Sequence, residues 1–187
     1  MAINKAYLTC GRDIESDEVY TPFYAVDPLV KYLPKYKKDL TKFIYWLPFD
    51  EEWSAFYQTL KEKGYEVVRT SLKEGYDFFD YEPEEWDIVV SNPPFSKKDD
   101  VLKRLYSFDK PFAVLLPVNS LQGKNRFKIF GKDIQVLSFD IRVDYHTLGD
   151  FEKYTKGNHF GSAYFCRKLL PERLILEALH KYEKKLK

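Results

Sequence analysis

Between residues 43 and 116, apolar runs the length of a β-strand alternate with stretches whose apolar side chains recur at helical spacing. No other feature narrows the fold as much. Residues 43–47, 65–68, 86–91 and 112–116 are short and mostly apolar, as strands buried on both faces are. Between them, residues 50–63 place Trp53, Phe56, Tyr57 and Leu60 on one helical face before Gly64, and residues 99–106 repeat the helical pattern. Parallel strands joined through helices are the expected result, so the predicted fold class is α/β, a Rossmann-like, doubly wound, mostly parallel sheet. A helix over residues 21–34 precedes it, opened by Thr21 and Pro22 and carrying Ala25, Val26, Leu29, Val30 and Leu33. Residues 134–139 and 159–166 read as two further strands, the second alternating in polarity, and residues 171–186 as a closing helix with a basic end. The stretch 142–158 is polar, aromatic and punctuated by glycine, a long connection of the kind that carries function more often than packing.

A chain of 187 residues fits one domain, 1–187, with residues 1–19 as an N-terminal extension and no separate target-recognition domain. Fifteen Tyr and fifteen Phe supply bulky apolar surface for a core and leave aromatics over for flat ligands. The net charge of +1 gives no general attraction to phosphate, so any affinity for nucleic acid must come from local basic clusters. Cys10 and Cys166 are far apart and lack metal-ligand spacing, so neither a disulfide framework nor a zinc site is suggested; no metal is expected. No apolar stretch approaches the roughly 18 residues a membrane span requires, and residues 1–10 lack a signal-peptide core, so a soluble, cytoplasmic protein without membrane contact is expected.

The chemistry concentrates at residues 87–96. Asp87, Ile88, Val89 and Val90 form a buried strand, and the chain then breaks with Ser91, Asn92, Pro93, Pro94 and Phe95. Open α/β sheets bind ligands at that carboxyl end. Two successive prolines remove two N–H donors and stiffen the turn, leaving the Asn92 side-chain oxygen and the Pro93 carbonyl as acceptors that can face a ligand. An exocyclic amine offers two N–H donors to such a pair, and its nitrogen is then positioned to attack an electrophilic methyl carbon. Phe95 would supply a flat face for a base turned out of its strand. The plain structural alternative is a proline-rich strand-to-helix turn with Phe95 in the core.

Asn92, Pro93, Pro94 and Phe95 resemble the fourth motif of the N6-adenine methyltransferases, Asn-Pro-Pro followed by an aromatic. The phage-type members are the nearest in pattern. The resemblance implies the methyltransferase version of the Rossmann-like fold, S-adenosylmethionine as cofactor, and transfer of a methyl group to adenine N6 in nucleic acid, DNA ahead of RNA. Asn92, Pro93, Pro94 and Phe95 would then be the catalytic residues. It assigns cofactor contacts to Tyr20, Thr21 and Pro22 ahead of the first helix, to Pro48, Phe49 and Asp50 after the first apolar run, and to Asp77 and Phe78 upstream of Trp86. Residues 159–170 are similar to the late strand of the same enzymes.

The pattern departs from that family in two places. After the first strand the family carries an acid, Pro, an aromatic and a Gly-x-Gly loop, whereas this chain reads Leu47, Pro48, Phe49, Asp50, Glu51, Glu52, Trp53. The second strand should end in an acid for the ribose hydroxyls, but Val67 and Val68 lead to Arg69 and Thr70. These departures motivate a rival: a catalytically weak or inactive methyltransferase-like subunit that binds adenine or nucleic acid. Guanine N2 or a protein glutamine amide is an alternative acceptor. Lys97, Lys98, Lys124 and Arg126 are the candidate nucleic-acid contacts, with Lys103, Arg104, Lys128 and Lys132 nearby and Phe127 and Phe130 beside them; solvated helix faces are the other explanation. With no recognition domain, specificity would be weak, come from a homodimer or other specificity partner, or be read through residues 142–158. His146 and His159 read as packing histidines.

Overall fold

The computed structural model describes residues 19–131, 133–147, 150–154, 160–182 and 184, with backbone alone at 147 and 150–154. Cys10, Lys132, His159 and all but the last residue of the expected N-terminal extension lie outside them.

The apolar runs form the strands that their composition calls for. In chain order they are β1 (Val19–Tyr20), β2 (Ile44–Leu47), β3 (Glu66–Arg69), β4 (Ile88–Ser91), β5 (Phe112–Pro117), β6 (Gln135–Phe139), β7 (His146–Thr147), β8 (Asp150–Tyr154), β9 (Ser162–Arg167) and β10 (Leu174–Glu177). The helices are α1 (Phe23–Val30), α2 (Ala55–Glu62), α3 (Lys98–Ser107) and α4 (Lys124–Phe130). Seven strands make the main sheet in the order β10-β6-β9-β5-β4-β2-β3. The pairs β2–β3, β2–β4, β4–β5 and β10–β6 are parallel, and only β9, between β5 and β6, runs antiparallel. The fold is the expected α/β, doubly wound and mostly parallel.

Side-chain alternation divides the core into two layers, one on each face of this sheet. Tyr45, Leu47, Ile88, Val90, Leu115 and Tyr164 belong to one apolar cluster, which also takes in Val26 and Leu29 of α1 and Phe56 and Leu60 of α2. Trp46, Val89, Val114, Leu116 and Phe165 belong to the other, with Val101, Leu102 and Leu105 of α3 and Phe130 of α4. The residues of β9 from Ser162 to Cys166 are all buried, so the polar alternation expected there does not mark a solvent face. Its side chains enter the two core layers in turn, Tyr164 and Cys166 on one face, Ala163 and Phe165 on the other. The indole of Trp46 donates to the Thr70 hydroxyl at 2.9 Å in the interior. Thr70→Val leaves that buried N–H without an acceptor and is expected to cost about 1–2 kcal/mol, read as a lower urea midpoint at unchanged slope.

Two local expectations are corrected. Residues 50–53 do not begin α2; the helix starts at Ala55, where Ser54 Oγ accepts from Tyr57 N at 3.2 Å, and the preceding residues turn across the carboxyl end of β2. Where a closing helix is expected over 171–186, the described residues 171–182 contain no helix. Leu174–Glu177 add a parallel strand to the edge of β6, with Ile175 packed on the core while Leu174 and Leu176 face outward. Edge pairing wins over helical spacing because β6 has backbone groups to satisfy: Val136 N donates to Arg173 O at 2.7 Å and Asp140 N to Glu177 O at 3.2 Å. Glu177 then ties β10 to α1 through Lys31 at 2.7 Å and the Tyr32 hydroxyl at 2.6 Å.

The connection 142–158 also carries structure. Its β7 pairs antiparallel with β1 and with β8, making a second, three-stranded sheet.

Candidate active site

A cleft of about 450 Å³ opens where β2, β3 and β4 end, within the size range of small-molecule sites. Its wall combines Pro48, Phe49 and Asp50 after β2, Ser71 after β3, Asp77 and Phe78 from the following turn, and Asn92, Pro93 and Pro94 after β4. Tyr20 and Thr21 close it from the β1 side. Residues from five separate stretches thus meet at one place, because parallel strands end on a common edge.

Asn92 is the most constrained of them. Its Nδ2 donates to the Val19 carbonyl at 2.8 Å, which fixes the orientation of the amide. Its Oδ1 is buried and finds no hydrogen-bond partner among the described residues. A buried acceptor left open in this way is uncommon, because it gives up the bonds that water would make. The second sheet is therefore what aims the amide: β1, held by β7, supplies the carbonyl. Thr21 Oγ1 and Ser71 Oγ, also on cleft-lining residues, are buried without a partner as well.

Asp50 is the charged group of the cleft. Its carboxylate is buried, accepts from the Ser91 hydroxyl and is hydrogen-bonded to Ser54. Burial pushes its pKa up to about 6, against which the two hydroxyls work and to which the neighbouring Glu51 adds. Ser91 immediately precedes Asn92, so one hydrogen bond links the loop after β2 to the turn after β4.

Aromatic rings form the rest of the wall. Phe78 stands 4.9 Å from Phe49, and Trp53 packs edge-on against Tyr20 with centroids 4.6 Å apart. Trp53 occupies the stretch where glycines were sought. Asp77 lines the cleft, and its Oδ1 accepts from Phe79 N at 2.9 Å. Arg69, found where an acid was sought, is neutralised by Glu74 at 2.8 Å, Glu52 at 3.3 Å and Glu51 at 4.0 Å.

Not every candidate reaches the cleft. Pro22 caps α1 outside it. Phe95 lies off the lining, edge-on to Tyr145 at 6.1 Å and Phe160 at 5.8 Å. Among the basic candidates Lys97 lines the cleft and Lys124 is exposed, while Lys98 Nζ donates to Phe95 O at 3.0 Å and Arg126 pairs with Asp99 at 2.7 Å. Arg104 donates to Tyr81 O at 3.2 Å and stacks over Phe78 and Phe108. Ser71, Trp53 and the Val19 carbonyl were not anticipated. Only Ser71 had a signal, its position just past the end of a strand.

The family model for the adenine-specific methyltransferase EcoRI matches residues 66–162, more than half of the chain and including the whole of β4 and its turn. The chain belongs to this family. It is a methyltransferase, and the cleft lies at the matched turn. A solved human structure, the methyltransferase 10 domain containing protein, is similar at 10% identity and a TM-score of 0.38, over 78% of this chain and 81% of that one. A search of curated protein sequences gives no match. Among the described residues no group of side chains could hold a metal ion, and no helix is long and apolar enough to cross a membrane.

Proposed function

We propose that this methyltransferase transfers a methyl group from S-adenosylmethionine to the N6 amino group of adenine in nucleic acid. The observation that carries this is the open acceptor, Asn92 Oδ1, held at the cleft by the bond from Nδ2 to Val19 O. Asn92 Oδ1 and the Pro93 carbonyl next to it accept the two N–H groups of the amine. Holding both fixes the nitrogen's orientation and keeps its lone pair for the methyl carbon, so positioning rather than strong base catalysis does the work. The family description, adenine-specific, supports the same acceptor.

The residues present fit the cofactor. Phe49, half-buried and backed by the buried Phe78, offers a flat face to its adenine, the Asp50 carboxylate suits its ammonium group, and the unpartnered hydroxyls of Thr21 and Ser71 suit its polar atoms. When bound, S-adenosylmethionine supplies an electrophilic methyl group. Asp50 and Ser91 bind the two halves of the site together, so the loop that receives the cofactor and the turn that receives the amine keep one spacing.

A second reading, a subunit that binds nucleic acid but holds the cofactor weakly, is favoured by Trp53, a large side chain on the cleft where the related enzymes have glycine. One experiment separates the two. Calorimetry of the purified protein with S-adenosylmethionine is expected to give saturable binding, and nucleosides from cells overexpressing it are expected to gain N6-methyladenine by mass spectrometry. No heat at millimolar cofactor, with or without nucleic acid, selects the second reading. A gain of N2-methylguanine or methylated glutamine instead moves the acceptor.

A further inference from the structure

We propose that α4 presents Phe127 as a stacking platform for an unpaired base of the nucleic-acid strand, with Lys124 and Lys128 beside it on the phosphates; this rests on the substrate class proposed above. Phe127 is 77% exposed, more than any other aromatic side chain among the described residues. Phe130, three positions on, is buried, so α4 is anchored without it. The segment 121–131 contains basic residues and no acid, and Lys124 and Lys128 are both exposed. A ring with an open face between ammonium groups matches a strand in which π-faces alternate with phosphates.

Arg126 holds this arrangement in place. Its Nε donates to Ser120 O at 2.8 Å, one terminal nitrogen donates to Gln122 O, and the other pairs with Asp99 at 2.7 Å. Gly123 makes this possible, since a Cβ there would meet the guanidinium at 2.8 Å. Asp99 lies in the first turn of α3, two residues after Lys97, which lines the cleft. Arg126 thus acts within the protein, pinning α4 beside the mouth of the cleft and leaving Phe127 outside. Phe95, the other candidate for stacking, is engaged edge-on by Tyr145 and Phe160. Phe127 is the more exposed of the two, Phe95 being half-buried.

The test uses fluorescence anisotropy with labelled 16-nucleotide single strands of one sequence, as DNA and as RNA. Phe127→Ala is expected to bind the preferred strand about 5- to 100-fold more weakly, Phe127→Trp to restore binding, and each of Lys124→Ala and Lys128→Ala to reduce the salt slope by about 0.7. The melting temperature and the affinity for S-adenosylmethionine should not move in any of the four. Phe127→Ala binding as tightly as wild type overturns the proposal, and so does Phe127→Leu restoring as well as Phe127→Trp, since that needs apolar contact and no stacking. Conversion of an oligomer to a monomer by Phe127→Ala in sedimentation also overturns it, the face then being a contact between copies. If wild type binds neither strand nor a duplex of the same sequence, the substrate class itself fails, a result distinct from equal binding by wild type and variant; binding of the duplex alone overturns stacking on an unpaired base.

Discussion

Asn92→Ala is expected to slow methyl transfer about 100- to 1,000-fold at saturating S-adenosylmethionine, the size of effect seen when one positioned hydrogen-bonding group is removed from an active site. The loss belongs in the rate rather than in cofactor affinity, because Oδ1 is an acceptor for the amine in the proposed site, while the groups assigned to the cofactor lie on other segments. The substitution also leaves the Val19 carbonyl without its donor, so a folding defect must be separated from a chemical one. Asn92→Asp does this: it also gives up the bond to Val19 but keeps an acceptor, and it should retain more activity than the alanine variant. Single-turnover rates for both, with calorimetry for the cofactor, decide the matter. Equal rates in the two variants, or an alanine variant above about a tenth of wild type, would remove Asn92 from the role proposed for it.

Asp50→Asn should raise stability and lower cofactor affinity at once. The folded protein holds this carboxyl at a pKa of about 6, above its ordinary 3.8, chiefly through burial. A raised acid pKa means that the native state holds the proton more tightly than the unfolded chain does. Stability from this group is therefore greatest below about pH 4, falls as pH rises from about 4 to 6, and stays reduced at neutral pH. The asparagine carries no charge to desolvate, so at pH 7.5 it is expected to gain on the order of 2 kcal/mol, visible as a higher melting temperature. A carboxylate held in a cleft at a stability cost is a candidate ligand contact. Calorimetry should accordingly show S-adenosylmethionine binding weakened at least about tenfold in Asp50→Asn. Wild type should itself bind about tenfold more weakly at pH 5 than at pH 7.5, because only the ionised carboxylate attracts the ammonium group. A variant that is stabilised yet binds normally would make Asp50 a structural residue only.

Periodicity was enough to locate the elements of the parallel half of the sheet. β2, β3, β4 and β5, with α2 and α3 between them, follow the apolar runs to within a few residues, because a strand buried on both faces leaves an unbroken apolar stretch whatever its neighbours are. The same reasoning failed at residues 171–182. A four-residue strand with Ile175 inward and two leucines outward carries no more signal than a turn of helix, and the open edge of β6 made the choice. The small sheet of β1, β7 and β8 was equally hidden, since its strands are two to five residues long and β1 pairs with β7 more than a hundred positions away.

The candidate site divides along the same line. Residues 92–95 announced a stiff turn at a strand's carboxyl end, and that much depends on local chain chemistry: two prolines, a short amide and the end of an apolar run. What engages the Asn92 amide was not in the tetrapeptide; a carbonyl 73 positions away takes its Nδ2 and leaves Oδ1 without a partner among the described residues. Nor could composition tell that Asp50 would be buried under the Ser91 hydroxyl, that Arg126 would be engaged within the protein, or that Phe127 would be far more exposed than Phe95. The sequence by itself determined the kind of fold and the kind of chemistry, because burial pattern and turn residues are written along the chain. Only the tertiary structure decided the direction of each polar group, because a hydrogen bond is set by whichever distant backbone or side chain the packing brings within about 3 Å.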